Sequence, residues 1–412
     1  MTTEIADAVV VGGGPAGLFC AASLPAALDV LVLERMPEAG RKLLLSGSGQ
    51  ANLTHTGDLA SFLDRYGPSD HGRFLRHALR AFSNEALARW FADRGVRLES
   101  REDGKVFPAS YRAQDVLDAL RAACADNGVR LLPGTRVGSI ERAPGGFRVC
   151  AGETTVESRV VVLATGGASY PQTGSSGDGY RLAAALGHTV VEPHPALAPV
   201  KPDPYPFADL AGVSVPDTGL AVMRDGRRVG AGRGDLLFTH GGLSGPGVLD
   251  LSRDIRPGDL LLISFLPLLR PEELDPRIVE LCRVRGAARL PGVLAPLGLP
   301  ERLLRRLLQA AGLPEEATGA RVTKEQRRAV TAALTAFPLR IGRVGDLSTA
   351  MATAGGIALG EVDSRTMGSR LIPGLFFAGE VLDLDGDSGG YNLQAAFSTG
   401  ALAASGVARL LD

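Results

Sequence analysis

The sequence AVVVGGGPAG at residues 8–17 decides the fold. Four apolar residues typical of a buried strand lead into a Gly-x-Gly-x-x-Gly turn, and a helical segment follows. Gly12 permits the tight turn, Gly14 lets the backbone approach a pyrophosphate, and Gly17 lets the helix pack closely on the strand. The free N–H groups at the start of that helix attract phosphate. The segment therefore predicts the first β-α-β unit of a dinucleotide-binding domain.

An acidic residue follows the second predicted strand. This strand is predicted over residues 29–33, of which 30–33 are apolar, and Glu34 follows it directly. An acidic side chain at about this distance from the glycine turn binds ribose hydroxyls in dinucleotide sites. A tight turn without a ligand would explain the glycines but not Glu34, so the dinucleotide interpretation is favoured.

A second glycine motif, far along the chain, points to a flavin. Residues 374–380 read GLFFAGE, which indicates a strand that ends at Gly379 and Glu380. A glycine-rich loop follows, and then a helix predicted over residues 393–411. A flavin ring needs backbone donors and a positive pole beside it, and the N–H groups at a helix start supply both. The two motifs together predict FAD.

Composition excludes several other classes. The chain has 412 residues, of which 45% are hydrophobic, enough for two or three domains. The net charge of −1 gives no indication of nucleic-acid or anionic-membrane binding. The four cysteines form no CxxC pair, so metal, dithiol and disulfide chemistry lack support. No secretory signal is visible, and the longest apolar run, residues 260–269, is too short for a bilayer. We therefore expect a soluble, cytoplasmic protein.

The spacing of apolar residues and the positions of prolines divide the chain into segments. A proline cluster between residues 193 and 206 marks a boundary; short strands follow to about residue 267, and amphipathic helices cover 271–335. Earlier in the chain, the patterns predict helices over 73–91 and 113–127 and strands over 130–140, 147–151 and 154–163.

Several longer motifs match one family over essentially the whole chain. They are GRKLLLSGSGQANLT (40–54), VFP (106–108), ATGGASYPQTGSSGDGY (164–180), LFTHGGLSGP (237–246), TAGG (353–356) and GEVLDLDGDSGGYNLQ (379–394). In their order and length they resemble the FAD-dependent oxidoreductases grouped with aminoacetone oxidase and the bile-acid-inducible flavoproteins.

The resemblance implies an α/β fold. It consists of a glutathione-reductase-type, Rossmann-like FAD domain, discontinuous in sequence, with an inserted β-barrel-like domain and a helical insertion. We accordingly predict the FAD-binding domain at 1–190 and 345–412, the strand-rich, barrel-like substrate domain at 191–268 and 336–344, and the helical insertion at 269–335.

One motif departs from the family pattern. Many relatives carry Arg-Cys before the Asn-Leu-Thr triplet, where this chain has Gln50 and Ala51. A mechanism that needs a thiol or a guanidinium at that position is therefore expected to be unavailable. The departure favours the branch that resembles aminoacetone oxidase.

The motifs supply the candidate cofactor-binding residues. Arg41 and Lys42 can balance phosphate charge, and the small residues after them allow close approach to the ring. By resemblance, Glu380 lies at a ribityl or pyrophosphate contact. The full set is Gly12, Gly14, Pro15, Ala16, Gly17, Glu34, Arg35, Arg41, Lys42, Ser46, Gly47, Asn52, Val137, Thr165, Gly166, Gly379, Glu380, Gly390, Asn392 and Leu393.

Other polar residues are weaker candidates. His240, in a Gly/Ser/Pro loop, is the candidate catalytic residue for proton transfer, although a lone histidine is commonly structural. Asp178 is either a helix N-cap or a site residue. Asp383, Asp385 and Asp387 alternate but do not continue as a calcium loop, so no metal is predicted. The arginines of the helical insertion fit solvated helix faces better than RNA contacts.

These observations predict an FAD-dependent oxidoreductase. It would move a hydride between flavin N5 and a small organic substrate, with an amine or alcohol favoured. The alternative is an NAD(P)H-dependent reductase of an activated C=C bond, with the uracil of ribosomal RNA as one such substrate. NAD(P)H or O2 is the expected co-substrate. A small-molecule partner is expected and a membrane partner is not; nucleic acid is not favoured, and the oligomeric state stays open.

Overall fold

The computed structural model describes residues 2–412. By their packing these residues form two compact units. Unit 1 contains the residues up to Ala196 and those from Ala350 to Asp412, and unit 2 contains Leu197–Thr349. The helices of residues 271–335 share one hydrophobic core with the barrel of unit 2. Within residues 2–412 no helix is both long and apolar enough to cross a membrane.

The strands, in chain order, are β1 Thr2–Val11, β2 Val30–Leu33, β3 Thr54–His55, β4 Leu98–Ser100, β5 Lys105–Pro108, β6 Arg130–Leu132, β7 Ser139–Ala143, β8 Gly146–Ala151, β9 Thr154–Leu163, β10 Val190–Ala196, β11 Val200–Pro202, β12 Ser214–Arg224, β13 Arg227–Thr239, β14 Gly242–Ser244, β15 Leu260–Ser264, β16 Phe337–Val344, β17 Ala352–Ile357 and β18 Leu375–Phe377.

The α-helices are α1 Pro15–Ser23, α2 Arg41–Leu45, α3 Leu59–Leu63, α4 Ser69–Ala81, α5 Asn84–Ala92, α6 Ala113–Asp126, α7 Asp178–Ala185, α8 Pro246–Leu251, α9 Pro271–Val284, α10 Leu290–Leu294, α11 Glu301–Ala310, α12 Lys324–Thr335 and α13 Tyr391–Leu411. Short 3-10 turns at Ser46–Gly49 and Gly379–Val381 matter for the site.

The main sheet of unit 1 is the Rossmann-type sheet that the sequence predicts. Its strand order is β6-β2-β1-β9-β8-β7, and β18 also pairs with β9. In the parallel centre, Val9 lies between Leu31 and Val161, and all three side chains are fully buried. Burial on both faces is why these strands are continuous apolar runs.

The strand β9 joins the two ends of the chain in this sheet. Its first half pairs antiparallel with β8, and Val161–Leu163 pair parallel with Leu375–Phe377 of β18. Unit 1 is therefore built from two separate parts of the chain.

Two predicted elements differ from the structure. The helix expected over 73–91 is broken between α4 and α5, because the Ser83 side chain accepts a hydrogen bond from Ala86 N and caps a new helix. The strand expected over 130–140 is divided into β6 and β7, and the intervening segment contains the turn residues Pro133 and Gly134.

Unit 2 contains a closed barrel with the strand order β11-β14-β13-β12-β15-β16. Its longest pairing is the antiparallel hairpin of β12 and β13. The leucines that the sequence places on one face of α11 are all buried in the unit 2 core: Leu303, Leu304, Leu307 and Leu308. The inserted barrel and the helical segment are thus both confirmed.

Candidate functional site

The glycine turn after β1 is packed so tightly that two of its positions admit only glycine. Gly12 has φ +110°, and a Cβ built on it would lie 2.4 Å from the carbonyl oxygen of Ala164. A Cβ on Gly17 would lie 2.0 Å from the carbonyl oxygen of Gly12. The start of α1, the end of β1 and the segment after β9 are therefore in direct backbone contact.

Gly14 is different, because its missing side chain leaves open space. It has φ −80°, and a Cβ there would meet no atom within 4 Å. Helix α1 begins at Pro15 with no side-chain cap. Its first N–H groups are thus left for a ligand, which is the arrangement of an anion site.

Glu34 ties the second strand to this turn. Its carboxylate is buried, Oε2 accepts a hydrogen bond of 2.7 Å from Gly13 N, and Oε1 accepts one of 2.7 Å from Met36 N. Each oxygen keeps a lone pair for a ribose hydroxyl. Glu34 therefore lies beside the glycine turn, and its contact with a ribose stays a prediction.

The C-terminal motif lies against the same helix start. Gly379 has φ +75°, and a Cβ on it would lie 2.8 Å from the Cβ of Ala16. Gly379 N donates to Thr399 Oγ1 of α13 at 2.9 Å. Two motifs more than 350 residues apart in the chain are thus brought together.

Lys42 and Glu380 form the centre of a polar network. Lys42 Nζ donates to Glu380 Oε2 at 2.6 Å and to Ser169 Oγ at 2.7 Å. Glu380 Oε1 accepts from Thr353 N at 2.8 Å, and Thr353 Oγ1 accepts from Ala168 N and Ser169 N. The network joins α2, the segment after β9, β17 and the Gly379–Val381 turn. The charge of Lys42 is therefore balanced by the carboxylate of Glu380, and its contact with a phosphate stays a prediction.

The loop at residues 46–52 holds an unusual backbone. Gly47, Ser48, Gly49 and Ala51 all have positive φ, although only two of them are glycine. Such conformations cost energy and are common at ligand sites. They fix the path of the loop that the sequence predicts to approach the cofactor.

Asn52 connects this loop to the start of α13. In the amide orientation that satisfies its neighbours, the side-chain nitrogen donates to Thr54 O and Val106 O, and the oxygen accepts from Gly390 N at 3.1 Å. Asn392 likewise bonds both polar groups of the Gly386 backbone at 2.8 Å. These two amides position the loops around the helix start, where the Leu393 N–H also lies.

A guanidinium from another part of the chain contacts Gln50, while the expectation about the mechanism stays a prediction. Arg101 Nη2 donates to Gln50 Oε1 at 2.7 Å. The Arg101 guanidinium also stacks over Phe107, 4.0 Å from the ring centroid. Arg101 belongs to a β-turn 51 residues further along the chain, so the motif around Gln50 does not predict this contact.

Asp178 binds Arg35, and of the two roles that the sequence left open the structure excludes that of helix N-cap. Asp178 is the first residue of α7, whose cap is Gly177, so it is not the N-cap. Its carboxylate accepts a hydrogen bond of 3.0 Å from Arg35 and two hydrogen bonds from Arg136. The hydrogen bonds and charge of Arg136 hold the pKa of Asp178 below its ordinary value. Val137 follows Arg136 in the chain and is buried.

Three buried polar atoms near the network have no hydrogen-bond partner among residues 2–412. They are Thr165 Oγ1, Tyr180 OH and His71 Nδ1. Burial raises the pKa of the Tyr180 phenol, and the charges of Glu380 and Asp383 raise it further. Buried polar atoms without partners indicate a ligand or water that completes them. Gly166, next to Thr165, has the positive φ of a turn residue.

His71 is the residue that the sequence analysis missed. It is buried on the inner face of α4, with Nε2 4.0 Å from Asp383 Oδ2. Asp383 Oδ1 accepts from Gly355 N at 3.1 Å. The available signal was a histidine on the apolar face of an amphipathic helix, which by itself is more typical of a core residue.

The other predicted residues lie at the edges of this site or outside it. Arg41, Ser46 and Gly47 belong to α2 and the loop that follows. His240 lies in unit 2, exposed in the turn between β13 and β14. The structure therefore places His240 in a different unit from every predicted cofactor-binding residue, and its catalytic role stays a prediction.

A comparison with family models identifies this arrangement. Residues 6–406 match the model described as the HI0933-like protein Rossmann domain. The chain belongs to the HI0933-like family. This family is one of FAD-binding oxidoreductases, so the chain is an FAD-dependent enzyme, as the sequence predicts.

Curated relatives of the family match over nearly the full chain. The ribosomal RNA dihydrouridine synthase of Escherichia coli is 33% identical over 95% of this chain and 96% of its own length. The 3-dehydro-bile acid delta(4,6)-reductase of Clostridium scindens is 30% identical over 96% of this chain and 97% of its own. Among solved structures, the 3-ketosteroid-delta4-(5alpha)-dehydrogenase of Rhodococcus jostii RHA1 has a TM-score of 0.50 at 18% identity, covering 98% of this chain and 97% of that one, which shows a shared fold.

The HI0933-like site fits FAD on its own geometry. The space at Gly14 and the uncapped start of α1 suit the pyrophosphate, and Glu34 suits a ribose. The start of α13 suits the ring, because it offers backbone N–H groups at a helix terminus. The 46–52 loop is predicted to approach the ring as well. The unpartnered Thr165 and Tyr180 hydroxyls offer further hydrogen bonds.

We expect Gly14→Val to lose FAD while keeping the fold. The extended φ of Gly14 and the open space around it accommodate valine, but the side chain would occupy the predicted pyrophosphate position. The measurements are the FAD-to-protein ratio after purification and thermal unfolding of the apoprotein. Gly17→Ala is the contrasting control, because its Cβ would strike a backbone carbonyl and should destabilise the fold itself. A Gly14→Val protein with full FAD content would disprove the placement of the pyrophosphate.

We expect Asp178→Asn to reduce the pH dependence of the free energy of unfolding in the acid range. The pKa of Asp178 is lowered in the folded state, so the unfolded state binds the proton more tightly. The stabilisation is present above the ordinary pKa of 3.8 and is lost as the pH falls through the folded pKa. The variant should lose about 1–2 kcal/mol at neutral pH and match the wild type in strong acid. Urea unfolding across pH measures this; Asp64→Asn, at an exposed position, is the control.

Proposed function

We propose that this HI0933-like enzyme reduces the carbon–carbon double bond of a uracil in ribosomal RNA, with NADPH or NADH as the electron donor. The observation that carries the proposal is the 33% identity to the Escherichia coli dihydrouridine synthase over almost the whole of both chains. Such a substrate places the enzyme in the cytoplasm, where ribosomal RNA is found.

The type of reaction is supported by a second relative. Conversion of a uridine to dihydrouridine adds two hydrogens to a C=C bond, and the name of the Clostridium scindens relative also describes a reductase of an unsaturated compound. Neither name refers to an amine or an alcohol, which the sequence analysis favoured. C=C reduction therefore becomes the first hypothesis, and oxidation of an amine or alcohol becomes the outcome that the experiment must exclude.

FAD, when bound, supplies hydride transfer at its N5. The chain's own task is to hold the reacting groups in place. The Lys42–Glu380 pair, with Ser169 and Thr353, fixes the segments that surround the cofactor site. The strained 46–52 loop and the Asn52 amide fix the segment next to the start of α13. Preorganisation of this kind lowers the cost of orienting a substrate.

Saturation of a C=C bond also consumes one proton. Two imidazoles are candidates for delivering it: His71, whose Nδ1 has no partner among residues 2–412, and the exposed His240 of unit 2. Variants at the two positions separate them. The one that donates the proton should lower the rate of product formation when replaced by asparagine, while flavin reduction by NAD(P)H stays unchanged.

The test has two stages. The purified holoenzyme is first mixed anaerobically with NADPH or NADH, and we expect rapid loss of the visible flavin absorbance. It is then incubated with ribosomal RNA from cells that lack this protein, and nucleosides are analysed by mass spectrometry for dihydrouridine. The Gly14→Val protein serves as the flavin-free control.

Two results would count against the proposal. One is fast flavin reduction without any dihydrouridine, which would redirect the search to small unsaturated substrates. The other is flavin that NAD(P)H leaves oxidised but that an amine or alcohol bleaches, with hydrogen peroxide formed on admission of oxygen. The second result would restore the oxidase hypothesis.

A further inference from the structure

Helix α4 presents a face of positive charge to solvent. Arg73, Arg76 and Arg80 are exposed, and they follow each other at spacings of three and four residues, which places them on one side of the helix. The half-buried His77 lies on the same side. From Arg73 to Arg80 this stripe extends about 10 Å along the helix axis. We call these four residues the α4 basic stripe.

The guanidinium groups of the α4 basic stripe are not neutralised. Among residues 2–412, none of the three lies within ion-pair or hydrogen-bonding distance of a carboxylate. The single acidic residue of α4 is Asp70. Like charges at these spacings destabilise a helix by about 0.2–0.5 kcal/mol per pair. Such a face carries a positive potential that an anionic partner can use.

The arginines of α11 show the contrasting arrangement. Arg305 bonds Glu301 and Glu315, Arg306 bonds Asp209, and Arg302 donates to the Asp209 carbonyl oxygen. Those are the arginines that the sequence analysis weighed as RNA contacts, and their internal partners support its preference for an ordinary helix face. The unneutralised cations lie on α4 instead.

Both ends of α4 are anchored to the candidate site within unit 1. Near its start, His71 faces Asp383 with 4.0 Å between Nε2 and Oδ2. Just after its end, the carbonyl oxygen of Phe82 accepts hydrogen bonds from Gln394 and Ser398 of α13. The inner face of α4 thus packs on the helix whose start is predicted to contact the flavin, while the outer face carries the arginines. A polymer bound to the outer face would be held at a fixed place relative to that site.

We propose that the α4 basic stripe is a docking surface for the phosphate backbone of the RNA substrate. This inference rests on the proposed function. Guanidinium groups bind phosphate oxygens through paired hydrogen bonds, and a row of them suits a chain of regularly spaced phosphates better than a single small anion. Contacts of this kind give affinity without sequence specificity, so the choice of uridine is made elsewhere.

The experiment compares two triple variants with equal loss of charge. The test variant is Arg73→Gln, Arg76→Gln and Arg80→Gln, and the control is Arg302→Gln, Arg305→Gln and Arg306→Gln. Glutamine is a good helix former, so both helices should persist. FAD content and the rate of flavin reduction by NAD(P)H are measured first, and both should equal those of the wild type.

RNA binding is then measured by fluorescence anisotropy with labelled oligouridylate over a range of salt concentrations. We expect the test variant to bind about tenfold more weakly at low salt. The slope of log affinity against log salt should fall by about 2, because each phosphate contact with a single strand contributes about 0.7. Replacement of the same three arginines by lysine should restore most of the slope. The control variant should behave as the wild type.

Dihydrouridine formation separates failure of this inference from failure of the proposed function. If the wild type modifies ribosomal RNA and the test variant does so with an unchanged KM, the α4 basic stripe is not the docking surface. If no protein forms dihydrouridine, the proposed function fails, and unchanged oligouridylate binding by the test variant would overturn the docking surface as well. Binding of the test variant to polyglutamate is measured in the same way. If the three substitutions weaken polyglutamate binding as much as RNA binding, with the same salt slope, the RNA docking surface is overturned in favour of an acidic protein partner.

Discussion

The close approach of the Gly17 backbone to the carbonyl oxygen of Gly12 is the constraint on which unit 1 depends. A single added carbon would lie 2.0 Å from that oxygen, so helix α1 could not start where it does. The position of α1 in turn sets the place of Gly379, which lies against Ala16. Because Gly12 also touches the Ala164 backbone, the first, middle and last segments of the sheet meet at this one crossing.

The elements that sequence predicted well are those with a strong local cause. The glycine turn, the buried strands β1, β2 and β9, and the apolar face of α11 are fixed by spacing and hydrophobicity, and the family motifs identified the cofactor. The break between α4 and α5 was missed because Phe82 and Leu87 continue the helical period across the Ser83 cap. Local periodicity outweighed a single capping residue in that prediction.

The contacts that sequence could not predict join residues far apart in the chain. Nothing near Gln50 indicates that Arg101 supplies its hydrogen-bond donor, and nothing near Asp383 indicates His71. Likewise, the sequence cannot distinguish the neutralised arginines of α11 from the free ones of α4, since both helices are amphipathic and arginine-rich. Tertiary ion pairing decides which basic faces remain available, and it is visible only in three dimensions.

The pairing of β9 with strands from both ends of the chain has a consequence for biosynthesis. Its second half pairs with β18, and β18 follows all of unit 2 in the chain. During translation, one edge of the second half of β9 therefore stays unpaired until the barrel and its helices have been made, although the other edge can pair with β1. Domains generally fold as units as they leave the ribosome. Unit 2 can thus complete its core first, and the flavin can be captured only after translation has passed α13.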